Sequence, residues 1–279
     1  MAGFADLHIH STASDGKLTP GEVVVLAKKM GFRCIAIADH DSVGGIEEAL
    51  AAGSEQGVEV LPCVELSTLY KGGEVHILGY FIDWRSTVFL DMLKHIMACR
   101  IERARQMVDK LGRLGLDVTW QEVVSRAGSG FVGRPHIAQA LMDKKYVSEI
   151  KEAFTENFIG KNGRAYVERY EINPGEAVEA IRNAGGVAVL AHPGFFKKQV
   201  KLDRADIEYL VSRGLQGVEV YHTKHSEEDV QKYKGIAESL GLAVTGGSDC
   251  HGGNTGEILM GRIRVPYIYV EKLKALNYM

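Results

Sequence analysis

The stretch Asp6-Leu7-His8-Ile9-His10-Ser11-Thr12-Ala13-Ser14-Asp15-Gly16 is the one around which the chain is organised. On an extended strand alternate side chains share a face, so Asp6, His8 and His10 point one way while Leu7 and Ile9 point the other. Two imidazoles are thereby aimed at one point. Five residues after His10, Asp15 arrives just before a glycine, where the chain can fold back over the strand end. A polar strand terminus with two hydrogen-bonded histidines would carry the same short pattern. What separates the two readings is repetition further along the chain.

Working outward, short β-branched runs alternate with capped helical segments, the βαβ signature of a parallel sheet or barrel. The runs are Phe4 to His10, Cys34 to His40, Glu59 to Ser67, Val75 to Tyr80, Val187 to His192, Gly217 to His222 and Ala243 to Asp249, which makes seven predicted strands. Thr19-Pro20-Gly21-Glu22 and Asn173-Pro174-Gly175-Glu176 each place a capping side chain, a proline and a glutamate in the order that starts a helix. Gly31 and Gly185 mark the corresponding stops.

The rhythm breaks once, between Tyr80 and Val187. From Ser86 an apolar stripe at helical spacing runs through Phe89, Met92, Leu93, Ile96, Met97, Ala104, Met107, Val108, Leu111 and Leu114. Such a stripe is core. Thr119 to Glu122 caps another helix, Pro135 begins a third and Ser148 a fourth. The expected organisation is a barrel from residues 1–85 and 171–279, with a helical insertion over 86–170 acting as a substrate cap.

Composition narrows the class. The chain has 279 residues, 46% of them hydrophobic and 25% charged, which supports a full core for an α/β domain with an insertion. Its 33 basic and 36 acidic residues give a net charge of -3, so any anion site must be local. Cys34, Cys63, Cys99 and Cys250 lack metal or disulfide spacing and read as reduced thiols. With no leader-like start and no apolar run near the ~20 residues of a membrane helix, a cytoplasmic location is expected, without a membrane or an obligate protein partner.

The predicted strand ends carry the chemistry. His8 and His10 close the first, His40 the second, Glu65 the third; His76 falls in the fourth; His192 closes the fifth, His222 the sixth, and Asp249 with His251 the seventh. Seven of the ten histidines hold such positions. In a parallel barrel the carboxyl ends of the strands meet on one face, where chemistry is placed. Imidazoles mixed with carboxylates favour divalent Mn, Fe or Zn. Cys250 alternates to the opposite face from Asp249 and His251. The donors exceed what one ion accepts, so two or three ions are expected, with Glu65 suited to bridging. Asp6, Asp39 and Asp41 are candidates for orienting imidazoles, and Asp41 equally for capping a turn.

Asp6-Leu7-His8-Ile9-His10, Ala38-Asp39-His40-Asp41, Glu65, His76, Ala191-His192-Pro193-Gly194 and Gly247-Ser248-Asp249-Cys250-His251 together resemble the successive motifs of the PHP (polymerase and histidinol phosphatase) family. The resemblance covers most of the chain. It implies a distorted seven-stranded (β/α) barrel and a trinuclear centre for phosphoester hydrolysis, with His8, His10, Glu65, His192 and Asp249 at its catalytic heart. Carried over by position, His8, His10, Glu65 and Asp249 would hold one ion, Glu65, His76 and His192 a second, and Asp15, His40 and His251 a third.

Within that family, Gly133-Arg134-Pro135-His136 and Ala165-Tyr166-Val167 resemble the branch containing 3',5'-nucleoside bisphosphate phosphatases and 5'-to-3' oligoribonucleases. The resemblance implies a nucleotide or short RNA substrate whose phosphate meets Arg134 and His136. Physically, a proline in the first turn puts both at a helix amino end, where free amides attract anions. Lys161 and Arg164 are candidates for a second phosphate contact. His222 and His225, in Tyr221-His222-Thr223-Lys224-His225, are candidates for substrate contact or leaving-group protonation, or for a hydrogen-bonded helix entry. Lys197, Lys198, Lys201 and Arg204 could border a nucleotide entrance or form a solvated charge run, and His95 reads as a surface or packing residue. The alternatives are a histidinol-phosphate phosphatase, a metal-dependent amidohydrolase and a non-catalytic metal-binding module.

Overall fold

The computed structural model describes residues 3–127, 132–168, 170, 172–195, 202–253 and 256–277. Among them are eight strands and ten helices. The chain divides into two compact units, Met1–Leu90 with Glu171–Met279, and Asp91–Tyr170.

The first unit is a nearly closed barrel. Its strands are β1 (Phe4–Ile9), β2 (Cys34–Ile37), β3 (Glu59–Tyr70), β4 (Gly73–Tyr80), β5 (Val187–Leu190), β6 (Gly217–His222), β7 (Ala243–Gly247) and β8 (Val265–Pro266), in the spatial order β7-β6-β5-β4-β3-β2-β1-β8. Helices α1 (Pro20–Lys29), α2 (Ile46–Gln56), α7 (Pro174–Asn183), α8 (Arg204–Ser212), α9 (Glu227–Leu240) and α10 (Ile268–Asn277) belong to this unit. Closure comes where the amide of Asp249 donates to the carbonyl of His8 (2.9 Å) and that of His10 to the carbonyl of Cys250 (3.0 Å).

Three features differ from the sequence expectation. The barrel is not all parallel: β4 runs antiparallel to both β3 and β5. The β3–β4 connection is a tight hairpin at Lys71-Gly72, with positive φ at both residues, so no crossover helix is needed there. An eighth strand of two residues lies antiparallel against the start of β1; two residues carry too little alternation to register as a strand in the sequence. The face shared by Leu7 and Ile9 is also broken. The register of β1 against β2 shifts between Asp6 and Ile9. Leu7 packs with residues of β2 to β5 and α10, whereas Ile9 packs against α1 and Phe32.

The helix starts form as their sequences dictate. Thr19 Oγ1 accepts from the amide of Glu22 (3.2 Å) while Glu22 accepts from the amide of Thr19 (2.8 Å). Asn173 and Glu176 make the same reciprocal pair at α7. Gly31 and Gly185 take positive φ just after α1 and α7.

The second unit is helical. It takes most of α3 (Thr87–Arg113), followed by α4 (Trp120–Ala127), α5 (Arg134–Asp143) and α6 (Ile150–Ala153). Its core joins Ala104, Met107, Val108 and Leu111 of the α3 stripe to Val123, Ile137 and Leu141. Helix α5 begins one residue earlier than expected, at Arg134, so Pro135 is its second residue. Among the described residues no helix is long and apolar enough to cross a membrane.

The seam between β7 and β1 leaves no room for a side chain at Gly247, where a Cβ would overlap that of His8 and stand 2.5 Å from its backbone nitrogen. We therefore expect Gly247→Ala to cost roughly 1–3 kcal/mol through overpacking, read as a lower urea midpoint; an unchanged midpoint would show that the seam can open.

Candidate metal centre

The strands and their ends deliver eight donor side chains to one end of the barrel, and the turn after β1 adds Asp15 as a ninth. His8 lies in β1 and His10 just past it, His40 past β2, Glu65 within β3, His76 within β4, His192 past β5, and Asp249 and His251 past β7. Because β4 is antiparallel, His76 reaches the same end from the first half of its strand, paired with Ser67. Backbone bonds fix the approach: the amide of Glu65 donates to the carbonyl of Asp39 (3.1 Å), that of Asp41 to the carbonyl of Glu65 (2.9 Å), and that of Lys17 to the carbonyl of His251 (3.1 Å). Asp41, His192 and Asp249 all take positive φ. Such backbone is costly for non-glycine residues and collects at functional sites.

The nine form four overlapping groups: His8, His10 and Asp249; His8, Glu65 and His192; His40, Glu65 and His76; and His10, Asp15, His40 and His251. Glu65 is fully buried at the junction. Its Oε1 is 2.9 Å from His76 Nδ1 and 3.0 Å from His192 Nε2. Its Oε2 is 3.3 Å from His8 Nε2, 3.3 Å from His10 Nε2 and 3.1 Å from His40 Nδ1. Asp249 Oδ1 is 3.2 Å from His10 Nε2, and Asp15 Oδ1 is 3.2 Å from His251 Nε2.

The donors fit a cationic occupant. His8 Nε2 and His10 Nε2 face each other at 3.2 Å, and Glu65 Oε2 is buried among three ring nitrogens without a hydrogen bond. Lone pairs aimed at one another in a dry site are unfavourable unless a positive charge lies among them. Divalent ions provide that charge, and a set of imidazoles and carboxylates without thiolate suits metals of borderline softness. Cys250 lies apart, buried with Ile9, Val23 and Ala27.

The electrostatics say the same. Burial opposes ionisation of Glu65 and Asp249, yet the surrounding imidazoles outweigh it and hold both carboxyls well below the usual range. Burial likewise opposes protonation of His8 and His10. Glu219 and Glu65 raise His8, and Asp249 and Glu65 raise His10 to about 10. His40 is pushed down to about 3, by burial first, reinforced by its histidine neighbours.

Other expected residues take other tasks. Asp39 accepts from the amide and hydroxyl of Ser11 and from the hydroxyl of Ser14, and Asp41 from the amide and hydroxyl of Ser67. Asp6 accepts from the amide of Ser248 (2.8 Å). These three aspartates hold backbone and loops rather than ring nitrogens. The carboxylate nearest a ring nitrogen on the far side of the site is Glu219, 3.1 and 3.2 Å from His8 Nδ1, which the sequence reading missed: it sits mid-strand, not at a strand end. Its signal was a carboxylate set between Val218 and Val220.

His222 is buried, with Nε2 3.5 Å from Asp249 Oδ2 and Nδ1 accepting from the amide of Lys224. His225 is corrected as a phosphate contact. Its Nδ1 donates to the carbonyl of Val220 (2.7 Å) and its Nε2 accepts from the amide of Gly194 (3.0 Å), so both nitrogens hold backbone. Arg204 pairs with Glu208 and Ser239 and is a helix-surface charge rather than an entrance. Lys197, Lys198 and Lys201 lie outside the described residues.

In the second unit, His136 Nδ1 accepts from the amide of Gly133 (3.1 Å), which puts the hydrogen of the neutral ring on Nε2. Burial lowers its pKa. The Arg134 guanidinium lies 5.7 Å from the centre of the Phe154 ring. Lys161 and Arg164 are exposed, and His95 is exposed beside Tyr170 and Cys99.

The PHP domain family model matches residues 6–172. The chain belongs to the PHP domain family. Among PHP-family relatives it is 35% identical to the 3',5'-nucleoside bisphosphate phosphatase of Chromobacterium violaceum, over 90% of this chain and 88% of that protein. It is 34% identical to a 5'-3' exoribonuclease of Haemophilus influenzae, over 88% of this chain and 89% of that protein. A solved structure from Bifidobacterium adolescentis, proposed to be a metal-dependent phosphoesterase, superposes with a TM-score of 0.83 at 31% identity, covering 97% of this chain and 95% of that one.

The raised imidazoles give this PHP barrel a pH signature once metal is stripped. The folded pKa values of His8 and His10 exceed the ordinary value of 6.5, so their contribution is complete below pH 6.5 and is lost as pH rises through the folded values, which for His10 is about 10. Thermal melts of metal-free protein should fall by roughly 5 °C or more between pH 7 and 10, taking ~2–4 °C per kcal/mol for a chain of this size. A flat profile would contradict buried imidazolium–carboxylate pairing.

Proposed function

We propose that the chain is a metal-dependent phosphohydrolase that removes the 3'-phosphate of nucleoside 3',5'-bisphosphates and also acts on short RNA bearing a 5'-phosphate. The observation that carries this is the sharing of one buried carboxylate, Glu65, among five imidazoles with two further carboxylates alongside. The relatives named as a nucleoside bisphosphate phosphatase and an exoribonuclease support the substrate class.

His8, His10, Glu65 and Asp249 would hold one ion, Glu65, His76 and His192 a second, and Asp15, His40 and His251 a third, with Mn2+ the best match to this donor set. Bound divalent ions supply Lewis-acid stabilisation of phosphoryl oxygens and lower the pKa of water. Phosphate monoester hydrolysis has one of the largest uncatalysed barriers known, which accounts for so dense a site.

The chain's own residues supply the rest. Arg134 offers a planar fork of donors and His136 an Nε2–H, both at the amino end of α5, and together they hold a substrate phosphate. Lys161 and Arg164 provide a second phosphate contact. His222 accepts at Nδ1, so its neutral ring carries the hydrogen on Nε2 and can hydrogen-bond the departing ribose oxygen, while the proton that oxygen takes up comes from water. His225 fixes the loop that presents His222, through Val220 and Gly194.

Phosphate release from adenosine 3',5'-bisphosphate and from a 5'-phosphorylated oligoribonucleotide, with and without Mn2+, tests the proposal. Metal-stripped protein should stay folded and lose roughly 10³-fold or more in kcat/KM, as expected when several kcal/mol of charge stabilisation goes. Full activity after complete metal removal would refute it. Arg134→Ala should lower kcat/KM for the bisphosphate about 10- to 10³-fold with bound metal unchanged; loss of metal in that variant would instead make Arg134 part of the scaffold.

A further inference from the structure

Glu219 is a fully buried carboxylate in the middle of β6, and no motif used above includes it. Its two oxygens do two jobs. Oε1 lies 3.1 Å and Oε2 3.2 Å from His8 Nδ1. Oε2 also accepts from the backbone amide of His192 at 2.8 Å. His8 and His192 are two of the histidines whose Nε2 atoms reach Glu65, at 3.3 and 3.0 Å. One carboxylate therefore holds the ring of His8 and the backbone of His192 from behind.

Both grips have physical consequences. A carboxylate beside Nδ1 selects the tautomer with the hydrogen on Nδ1, which leaves the Nε2 lone pair facing the site. The amide of His192 belongs to a residue held at φ 28°, a strained conformation for histidine, and persists there because the surroundings over-determine it. Glu219 contributes directly to that, through the shortest of its three contacts.

We propose that Glu219 is a positioning residue of the centre, which fixes the tautomer of His8 and pins the backbone of His192 so that both present Nε2 to the same ions. The inference rests on the metal-centre reading and sharpens it. The two arms explain why the residue is a carboxylate. A glutamine keeps the volume but offers one acceptor, so either His8 Nδ1–H or the His192 amide would meet another donor.

The test compares Mn2+ binding by the unsubstituted protein and Glu219→Gln, followed by electron paramagnetic resonance, with circular dichroism at low temperature to establish that both are folded. Orienting partners of metal-bound histidines typically contribute 10- to 100-fold in affinity, and a weakening of roughly that size is expected. A folded variant with unchanged Mn2+ affinity overturns the proposal and leaves Glu219 as a core residue only. A second measurement needs no substitution. In the zinc-loaded protein, long-range proton–nitrogen spectra should show His8 with its hydrogen on Nδ1 and in slow exchange; a hydrogen on Nε2 overturns the proposal even if the variant fails to fold. Absence of any metal uptake by the unsubstituted protein would instead sink the centre itself, a different result from uptake indifferent to residue 219.

Discussion

The constraint on which the first unit depends is the burial of Glu65. A carboxylate with no exposure is tolerable only among compensating partners, and the close partners of this one are five histidines from four separate stretches of chain. To bring them there, β1, β2 and β5 must end at the same level and β4 must run against its neighbours. The closure between β7 and β1, the positive-φ residues at strand ends and the close approach at Gly247 all serve that convergence. In this sense the barrel is as much a consequence of the site as its support.

Much of this was legible in the sequence because strand periodicity and chemistry coincide. Asp6, His8 and His10 announce both a strand and its face, and the capping pairs Thr19–Glu22 and Asn173–Glu176 fix helix starts through contacts only three residues apart. The positions of the strand-end histidines followed from the same periodicity. What was less legible depends on pairing between distant segments. Nothing local in Gly73–Tyr80 distinguishes an antiparallel strand from a parallel one. The register shift that separates Leu7 from Ile9 exists only in relation to β2, and β8 only in relation to β1.

The site shows the same limit. Donors at strand ends could be recognised by position, whereas their supports could not. Asp39 and Asp41 stand beside His40 in sequence but turn to serine hydroxyls and amides, while the group that orients His8 lies 211 residues away. His225 has the composition of an active-site residue, yet its environment offers a carbonyl at one nitrogen and an amide at the other, and those two bonds decide its role.

The order in which the donors occur along the chain has a consequence for biosynthesis. A ribosome releases His8, His10 and Asp15 first, His40, Glu65 and His76 soon after, and then the whole Asp91–Tyr170 unit before His192 appears. Asp249 and His251 come last of all. Until then the early strands hold an incomplete basin of histidines with no seam closed behind it, since Asp249 and Cys250, just past β7, are what join the carbonyl of His8 and the amide of His10 into the ring. An ion caught by the nascent chain would be held by few ligands in an open cleft and would exchange readily, so selection of the resident metals falls to the finished molecule.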